Sequence, residues 1–252
     1  MYPEERRNSI LRILAKKKFV TLSFLTESLF CSEATIRRDL SMLEKAGYIK
    51  RTTGGALFIR EEYNEYPFNY KYQVNYDAKK HITDLAIDFI GNYQTIFLDS
   101  SSTCFHLARK IVELENLTVL CNGFPSCQVL AQNPKIKVYC PAGYIIHDGG
   151  TIIGESAIDY IETRTAEVAF ISCRGIDADF GITDFIEGEA ALKQAYRRRS
   201  KQVILLADSS KFGKSYFYQI ITIDKIDVLI TDKQPPEDIL RKLEENDIEC
   251  VY

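Results

Sequence analysis

Two groups of side chains in this chain have the types and spacings needed to hold an anion. The first lies in residues 32–52, S-E-A-T-I-R-R-D-L-S-M-L-E-K-A-G-Y-I-K-R-T. Arg37, Arg38, Lys50 and Arg51 are cations suited to neutralising phosphates, while Glu33, Ala34 and Thr35 stand nearest the base edges of a duplex. Ser32 precedes them, and Thr52 follows the basic pair. The second group is spread out, because a polar cluster follows each of several apolar runs. These clusters are Asp99-Ser100-Ser101-Ser102-Thr103, Asn122-Gly123, Ala142-Gly143, Arg174-Gly175-Ile176-Asp177 and Asp208-Ser209-Ser210-Lys211. Hydroxyls and successive backbone N–H groups at a helix start make a seat for phosphate. One such seat, with Lys193, Lys211, Arg174 and the carboxylates of Asp99, Asp177 and Glu189, suits a phosphorylated polyol or sugar. A serine-rich turn alone is ordinary helix capping. Recurrence at successive apolar runs is what points to a pocket.

Other chemistry is excluded. Gly213-Lys214-Ser215 resembles the end of a phosphate loop, but the earlier glycine would fall at 208, which is Asp, and Tyr216–Ile221 reads as strand. His81, His106 and His147 lack ligand spacing, so no metal or other cofactor is expected. Cys104 beside the serine cluster reads as a packing thiol. The seven cysteines are odd in number and hold no C-x-x-C pair, which fits free thiols in a reducing compartment.

The elements that must position the first group are three short helices and a hairpin. Residues 4–17 carry an apolar stripe of Ile10, Ile13 and Leu14. Thr21 or Ser23 caps a second helix bearing Leu22, Leu25 and Leu29. Ser32 caps a third, in which Ile36, Leu40 and Leu43 form one face and Arg38 stands opposite. Gly47 ends it, and Tyr48–Thr53 reads as a strand reaching a Gly54-Gly55 turn. This is a winged helix-turn-helix, a shape that suits the major groove.

The second group needs a parallel sheet. Apolar runs at 95–99, 117–120, 136–139, 168–171, 203–206 and 228–230 alternate with helices near 78–89, 102–113, from 125, 188–199 and 236–245. Such runs, without polar alternation, are strands covered on both faces. Ligands then bind outside their carboxyl ends. The expected fold is therefore α/β, with residues 1–59 as a DNA-binding domain, 60–76 as a linker anchored at Pro67-Phe68, and 77–252 as a sensing domain.

Charge follows the same division. The net charge is −3, but residues 1–60 hold 12 Lys+Arg against 6 Asp+Glu, a balance of +6, and the remaining 20 against 29 give −9. A basic small domain on an acidic body favours a polyanion for the first segment only. The charged amino terminus is no signal peptide, and no apolar run approaches the ~20 residues of a membrane span. The protein is expected in the cytoplasm.

The run T-I-R-R-D-L, then L-E, then G-Y-I-K-R-T-T-G-G-A resembles the amino-terminal signature of the DeoR family of bacterial transcriptional regulators. L-D-S-S-S-T, N-G, Gly143, G-I-D, G-I-T-D with E-A-A-L-K, and A-D-S-S-K-F-G are similar to that family's carboxy-terminal domain. The resemblance implies an operator-reading helix and a domain similar in fold to sugar-phosphate isomerases that senses phosphorylated sugars. Carried over by position, Asp99, Ser101, Ser102, Thr103, Asn122, Gly123, Gly143, Asp177, Glu189, Lys193 and Lys211 would line its pocket. The chain departs from the family pattern at Ser101 and Ala142, where glycine is usual, and at Ser172-Cys173-Arg174. The extra side chain at 101 is expected to narrow the approach to backbone N–H groups. The function expected is that of a homo-oligomeric repressor of a carbohydrate operon, bound to double-stranded operator DNA and controlled by a phosphorylated sugar or related metabolite. An isomerase or deaminase using Asp177 or Glu189 as base is the rival, and the fused DNA-binding domain counts against it.

Overall fold

The structure, a computed structural model, describes residues 2–58, 68–146 and 150–252. It divides into two compact units, Met1–Val74 and Asn75–Tyr252.

The first unit runs α1 (Pro3–Lys17), β1 (Phe19–Thr21), α2 (Leu22–Leu29), α3 (Glu33–Lys45), β2 (Ile49–Thr52), β3 (Gly55–Phe58) and α4 (Phe68–Gln73). Capping sets the helix starts. Thr21 Oγ1 accepts from Phe24 N at 3.2 Å, and Ser32 Oγ from Thr35 N at 3.3 Å. Past the end of α3, Gly47 takes φ +81°, a left-handed conformation that side chains disfavour. One face of each of the first three helices enters a shared core holding Ile10, Leu14, Leu25, Ile36, Leu40 and Leu43. The three strands form an antiparallel sheet in the order β1-β3-β2.

Three details differ from the sequence expectation. The wing turns at Thr53-Gly54, one residue early. Gly55 lies within β3, where a Cβ would come 2.0 Å from the Val20 carbonyl oxygen. Strand β1, which forces that close approach, is three residues long and leaves no periodic signal. Part of the expected linker is helix: α4 buries Tyr70 in this unit's core. The expected anchor Pro67 lies outside the described residues.

The second unit runs α5 (Tyr76–Ala86), β4 (Thr95–Leu98), α6 (Ser102–Ile111), β5 (Leu117–Cys121), α7 (Phe124–Leu130), β6 (Ile136–Tyr139), β7 (Tyr144–Ile146), β8 (Thr151–Ile153), α8 (Glu155–Glu162), β9 (Ala166–Ile171), β10 (Gly175–Asp177), β11 (Gly181–Asp184), α9 (Glu187–Arg199), β12 (Ser200–Leu206), β13 (Tyr218–Ile221), β14 (Val228–Ile230), α10 (Glu237–Glu245) and β15 (Glu249–Val251). Seven strands make a parallel sheet in the order β15-β14-β12-β9-β4-β5-β6. Alternate residues of each strand feed opposite cores, as a pleated sheet requires. Ile96, Leu98, Val119 and Phe170 face one core with α5 and α6. Phe97, Leu120, Ala169 and Ile171 face the other with α8, α9 and α10. The antiparallel sheet β10-β11-β13 and the hairpin β7-β8 stand apart from this frame.

The strand order says where a ligand crevice is expected. From β4 the chain adds β5 and β6 on one side, then β9 and its followers on the other. The reversal lies between β4 and β9, and in open α/β sheets ligands bind at the carboxyl ends beside such a reversal. Asp99 follows β4, and Ser172 follows β9.

Candidate nucleic-acid interface and ligand crevice

On the first unit, Ser32, Glu33, Ala34, Arg37 and Arg38 are exposed along one side of α3, and Lys50, Arg51 and Thr52 are exposed on the wing. Thr35 is half-buried, and its hydroxyl shares a hydrogen bond with Ser32 Oγ at 2.9 Å, so it is engaged at the cap. The cations fall into two pairs. Arg37 bonds Glu33 at 2.6 Å within α3, and Arg51 is held by Glu44, which also accepts the Arg51 backbone N–H at 2.7 Å. That N–H first, then the guanidinium, holds the Glu44 carboxyl below its usual range. Among the described residues, Arg38 and Lys50 have no ion-pair partner. Asp39, in the same R-R-D run, points inward. It is buried and paired with Arg6 and Arg7 of α1, which fixes α3 on its scaffold. A groove of about 280 Å³ between α3 and the wing is lined by Arg37, Leu40, Glu44, Arg51 and Thr52.

In the second unit the charges are buried. Asp99 is fully enclosed, and its carboxylate accepts Ser101 N at 2.8 Å and Ser172 N at 2.7 Å, tying together the ends of β4 and β9. Lys193 stands 2.8 Å from Asp184, 3.4 Å from Glu189 and 3.9 Å from Asp99, and all four residues are buried. Burial alone would lower the Lys193 pKa. Asp184, then Glu189 and Asp99, outweigh it and raise the value. Likewise burial pulls Asp184 upward, but Lys193 and Arg174 hold it below the usual carboxylate range.

A second cluster lies at the start of α6. Lys79, buried in α5, donates to Ser102 Oγ at 3.0 Å. Asn75 donates to Asp208 at 2.9 Å and to Ser210 Oγ at 3.2 Å. Against its burial, Asp208 is held low by Lys211, the Ser210 hydroxyl and Lys79. Burial pushes the half-buried Lys211 down; Asp208 opposes the shift and Arg174 adds to it. Cys173 joins the two clusters: it feels Lys211, Lys193, Asp184 and Asp208, while burial pushes its thiol up to about 12.

The expected residues thus separate by role. Asp99, Glu189 and Lys193 join Asp184 in one cluster, Lys79 meets Ser102, and Lys211 and Arg174 act on Asp208 and Asp184, whereas others are engaged in the framework. Asn122 donates to Ile152 O at 3.2 Å and accepts from Tyr196 OH at 3.1 Å. Asp177 accepts N–H bonds from Asp179 and Phe180, capping the β10–β11 hairpin. At Gly143 a Cβ would meet Ile153 O at 2.4 Å, and at Gly123 it would reach Ser100 Cα at 3.0 Å. Ser100 and Thr103 are buried beside the turn. Ser101 caps α6 by accepting from Cys104 N at 3.1 Å, so its side chain occupies one N–H at the seat. Burial raises the Cys104 pKa well above its ordinary value, as a packing thiol requires.

Asn75, Lys79 and Asp184 were not among the expected site residues, and Asp208 entered only as a member of the strand-end cluster that leads to Lys211. Lys79 does leave a signal: it falls three residues before Ile82 on a buried helix face, where lysine is rare unless paired.

Comparison with known proteins fits this pairing of units. A DeoR-like helix-turn-helix domain matches residues 6–62, and a DeoR C-terminal sensor domain matches residues 74–233. The chain belongs to the DeoR family of transcriptional regulators. It is 34% identical over 245 residues to the HTH-type transcriptional regulator GolR of Listeria innocua, covering 97% of this chain and 96% of that one. It is 30% identical over 231 residues to the L-fucose operon activator of Escherichia coli, covering 91% and 95%. Ribose 5 phosphate isomerase A from Neisseria gonorrhoeae is a structural neighbour at TM-score 0.40 and 14% identity, covering 54% of this chain and 53% of that one. No helix among the described residues is long and apolar enough to cross a membrane.

Proposed function

We propose that this DeoR-family regulator is a cytoplasmic, homo-oligomeric repressor of a carbohydrate-catabolism operon, and that a phosphorylated sugar bound at the β4–β9 crevice releases it from DNA. The observation that carries this is a chain of cations at the strand ends: Lys79 donates to Ser102 at the turn that opens α6 and acts on Asp208, which Lys211 holds low, and Arg174 acts on Lys211 and Asp184. Cations and helix N–H groups brought to one place suit a phosphate. Carboxylates beside them can accept from sugar hydroxyls. The rival isomerase needs a free base, Asp177 or Glu189; Asp177 is engaged by the Asp179 and Phe180 N–H groups and Glu189 is paired with Lys193, which favours a binding role.

On DNA, Arg38 and Lys50 meet phosphates first. Arg37 and Arg51 join by exchanging Glu33 and Glu44 for phosphate oxygens, an inexpensive exchange at an exposed surface. Release requires the effector to bind the DNA-competent and released states unequally. Lys79 and Asn75 suit that task, since both hold crevice residues and both lie just past Val74, where the first unit ends. An activator is the second reading, favoured by the relative named as the L-fucose operon activator. The test is a gel shift on DNA upstream of the gene with a panel of pentose and hexose phosphates. Loss of the shifted band with one of them supports repression. A tightened band makes the protein an activator, and turnover of the sugar with no DNA binding makes it an enzyme.

A further inference from the structure

Three cysteines meet at the open edge of the parallel sheet. Strands β5 and β6 pair in parallel through Leu120 and Tyr139, so the next rung sets Cys121 beside Cys140. Strand alternation places Cys121 with Val119, and Cys140 with Val138, on the face that also packs Cys127 of α7. The Cys127 thiol comes down onto this rung. It lies 3.2 Å from the carbonyl oxygen of Cys121, the residue that the rung sets beside Cys140. Cys121 is buried with its thiol 3.6 Å from the Gly123 carbonyl oxygen, Cys127 is half-buried, and Cys140 is exposed. Among the described residues no group of three or more His, Cys, Asp or Glu is arranged to hold a metal ion.

We propose that Cys127 and Cys140 are a redox modification site, closing reversibly into a disulfide, with exposed Cys140 as the sulfur that meets the oxidant from solvent. The oxidant is a low-molecular-weight disulfide. The Cys140 thiolate attacks one of its sulfurs, a mixed disulfide forms, and the first small thiolate leaves and takes up the proton that Cys140 lost. Cys127 gives up its proton and attacks the Cys140 sulfur, and the second small thiolate departs with that proton. The protein loses two protons and two electrons, which leave on two small thiols. Both protein thiols hold their protons more tightly than a free cysteine, Cys140 through its hydrogen bond with Cys127 and Cys127 through its contact with Cys121. That slows the first attack. The equilibrium follows from the second sulfur being already in place. The bridge joins the helix that begins after Gly123 to the segment that precedes Gly143, so it fixes two strand-end turns to each other.

The test treats the full chain with oxidised glutathione, alkylates the remaining thiols, and maps cysteine peptides by mass spectrometry. The expected product is a Cys127–Cys140 cross-linked peptide lighter by two hydrogens, monomeric on a non-reducing gel and reopened by dithiothreitol. Cys140→Ser abolishes it, and Cys250→Ser leaves it unchanged. The proposal is overturned if both cysteines are recovered alkylated, if Cys140 stops at the glutathione adduct, or if the cross-link joins two chains. Mapping the wild-type protein decides among these results even if a variant folds poorly.

Discussion

The two units hold their charges in opposite ways. On the α3 and wing surface, Arg37 and Arg51 are paired with carboxylates in solvent, at 59% and 45% side-chain exposure. At the β4–β9 crevice, Lys193 has 4% exposure and three carboxylate neighbours. An exposed pair is worth ~0.2–1 kcal/mol, so its arginine can be given up to another anion at little cost. A buried charge has no such freedom, because removing one partner strands the others without water. The outer surface is built for exchange. The inner cluster is built to stay, and on the proposed reading the cations beside it, Lys79, Arg174 and Lys211, are the ones that would meet a ligand.

The comparison is broken most sharply at Lys193. Lys193→Ala leaves Asp99, Asp184 and Glu189 without their shared cation, and a loss of ~3–5 kcal/mol of unfolding free energy is expected in urea titration. On sequence alone this substitution would be expected to abolish effector response with operator binding intact. The buried triad predicts destabilisation of the whole sensing unit instead. Lys79→Met keeps the apolar stem in place and removes the charge at Ser102. Stability should move by ~1 kcal/mol or less, while calorimetric affinity for an effective sugar phosphate falls by ~1.5–3 kcal/mol, about tenfold to a hundredfold.

Acid separates the two regions next. Asp184 and Asp208 have folded-state pKa values below their ordinary values. The stability they contribute is therefore present above the unfolded carboxylate pKa of ~3.9, and is lost as pH falls through their lower folded values. Thermal unfolding followed from pH 6 downward should weaken below ~pH 4, and Asp184→Asn should flatten that decline. The smallest effect is at the outer surface. Arg38→Ala should leave stability unchanged and reduce the salt slope of duplex binding by about one unit, if Arg38 touches one phosphate. An unchanged slope would place Arg38 off the DNA.

Much of this architecture was legible in the residues. Ser32 and Gly47 mark the ends of α3 because capping and left-handed backbone are local chemistry. Six of the seven strands of the parallel sheet show as apolar runs, the inner ones because both of their faces are covered, whereas edge strand β6 exposes Lys137 and Tyr139. Tyr216–Ile221 read as strand and holds β13, but β1, β10 and β11 did not show, because short antiparallel strands owe their pairing to distant partners. The crevice was legible as a place and less so as a set of side chains. A turn sequence places Asn122 and Asp177 at strand ends, yet nothing in it says that Tyr196 and the hairpin N–H groups will occupy them. Lys79 and Lys193 carry the opposite lesson. Each is a lysine on a buried helix face, and that mismatch with periodicity was the available pointer to paired internal charge.

The most direct measurement is fluorescence anisotropy of labelled upstream duplex titrated with the protein, repeated with each pentose and hexose phosphate, for wild type and Lys79→Met. One phosphorylated sugar should weaken wild-type duplex binding, and Lys79→Met should bind the duplex equally well and ignore that sugar. If every sugar phosphate leaves wild-type affinity unchanged, or if Lys79→Met responds as fully as wild type, the crevice does not govern the DNA-binding surface.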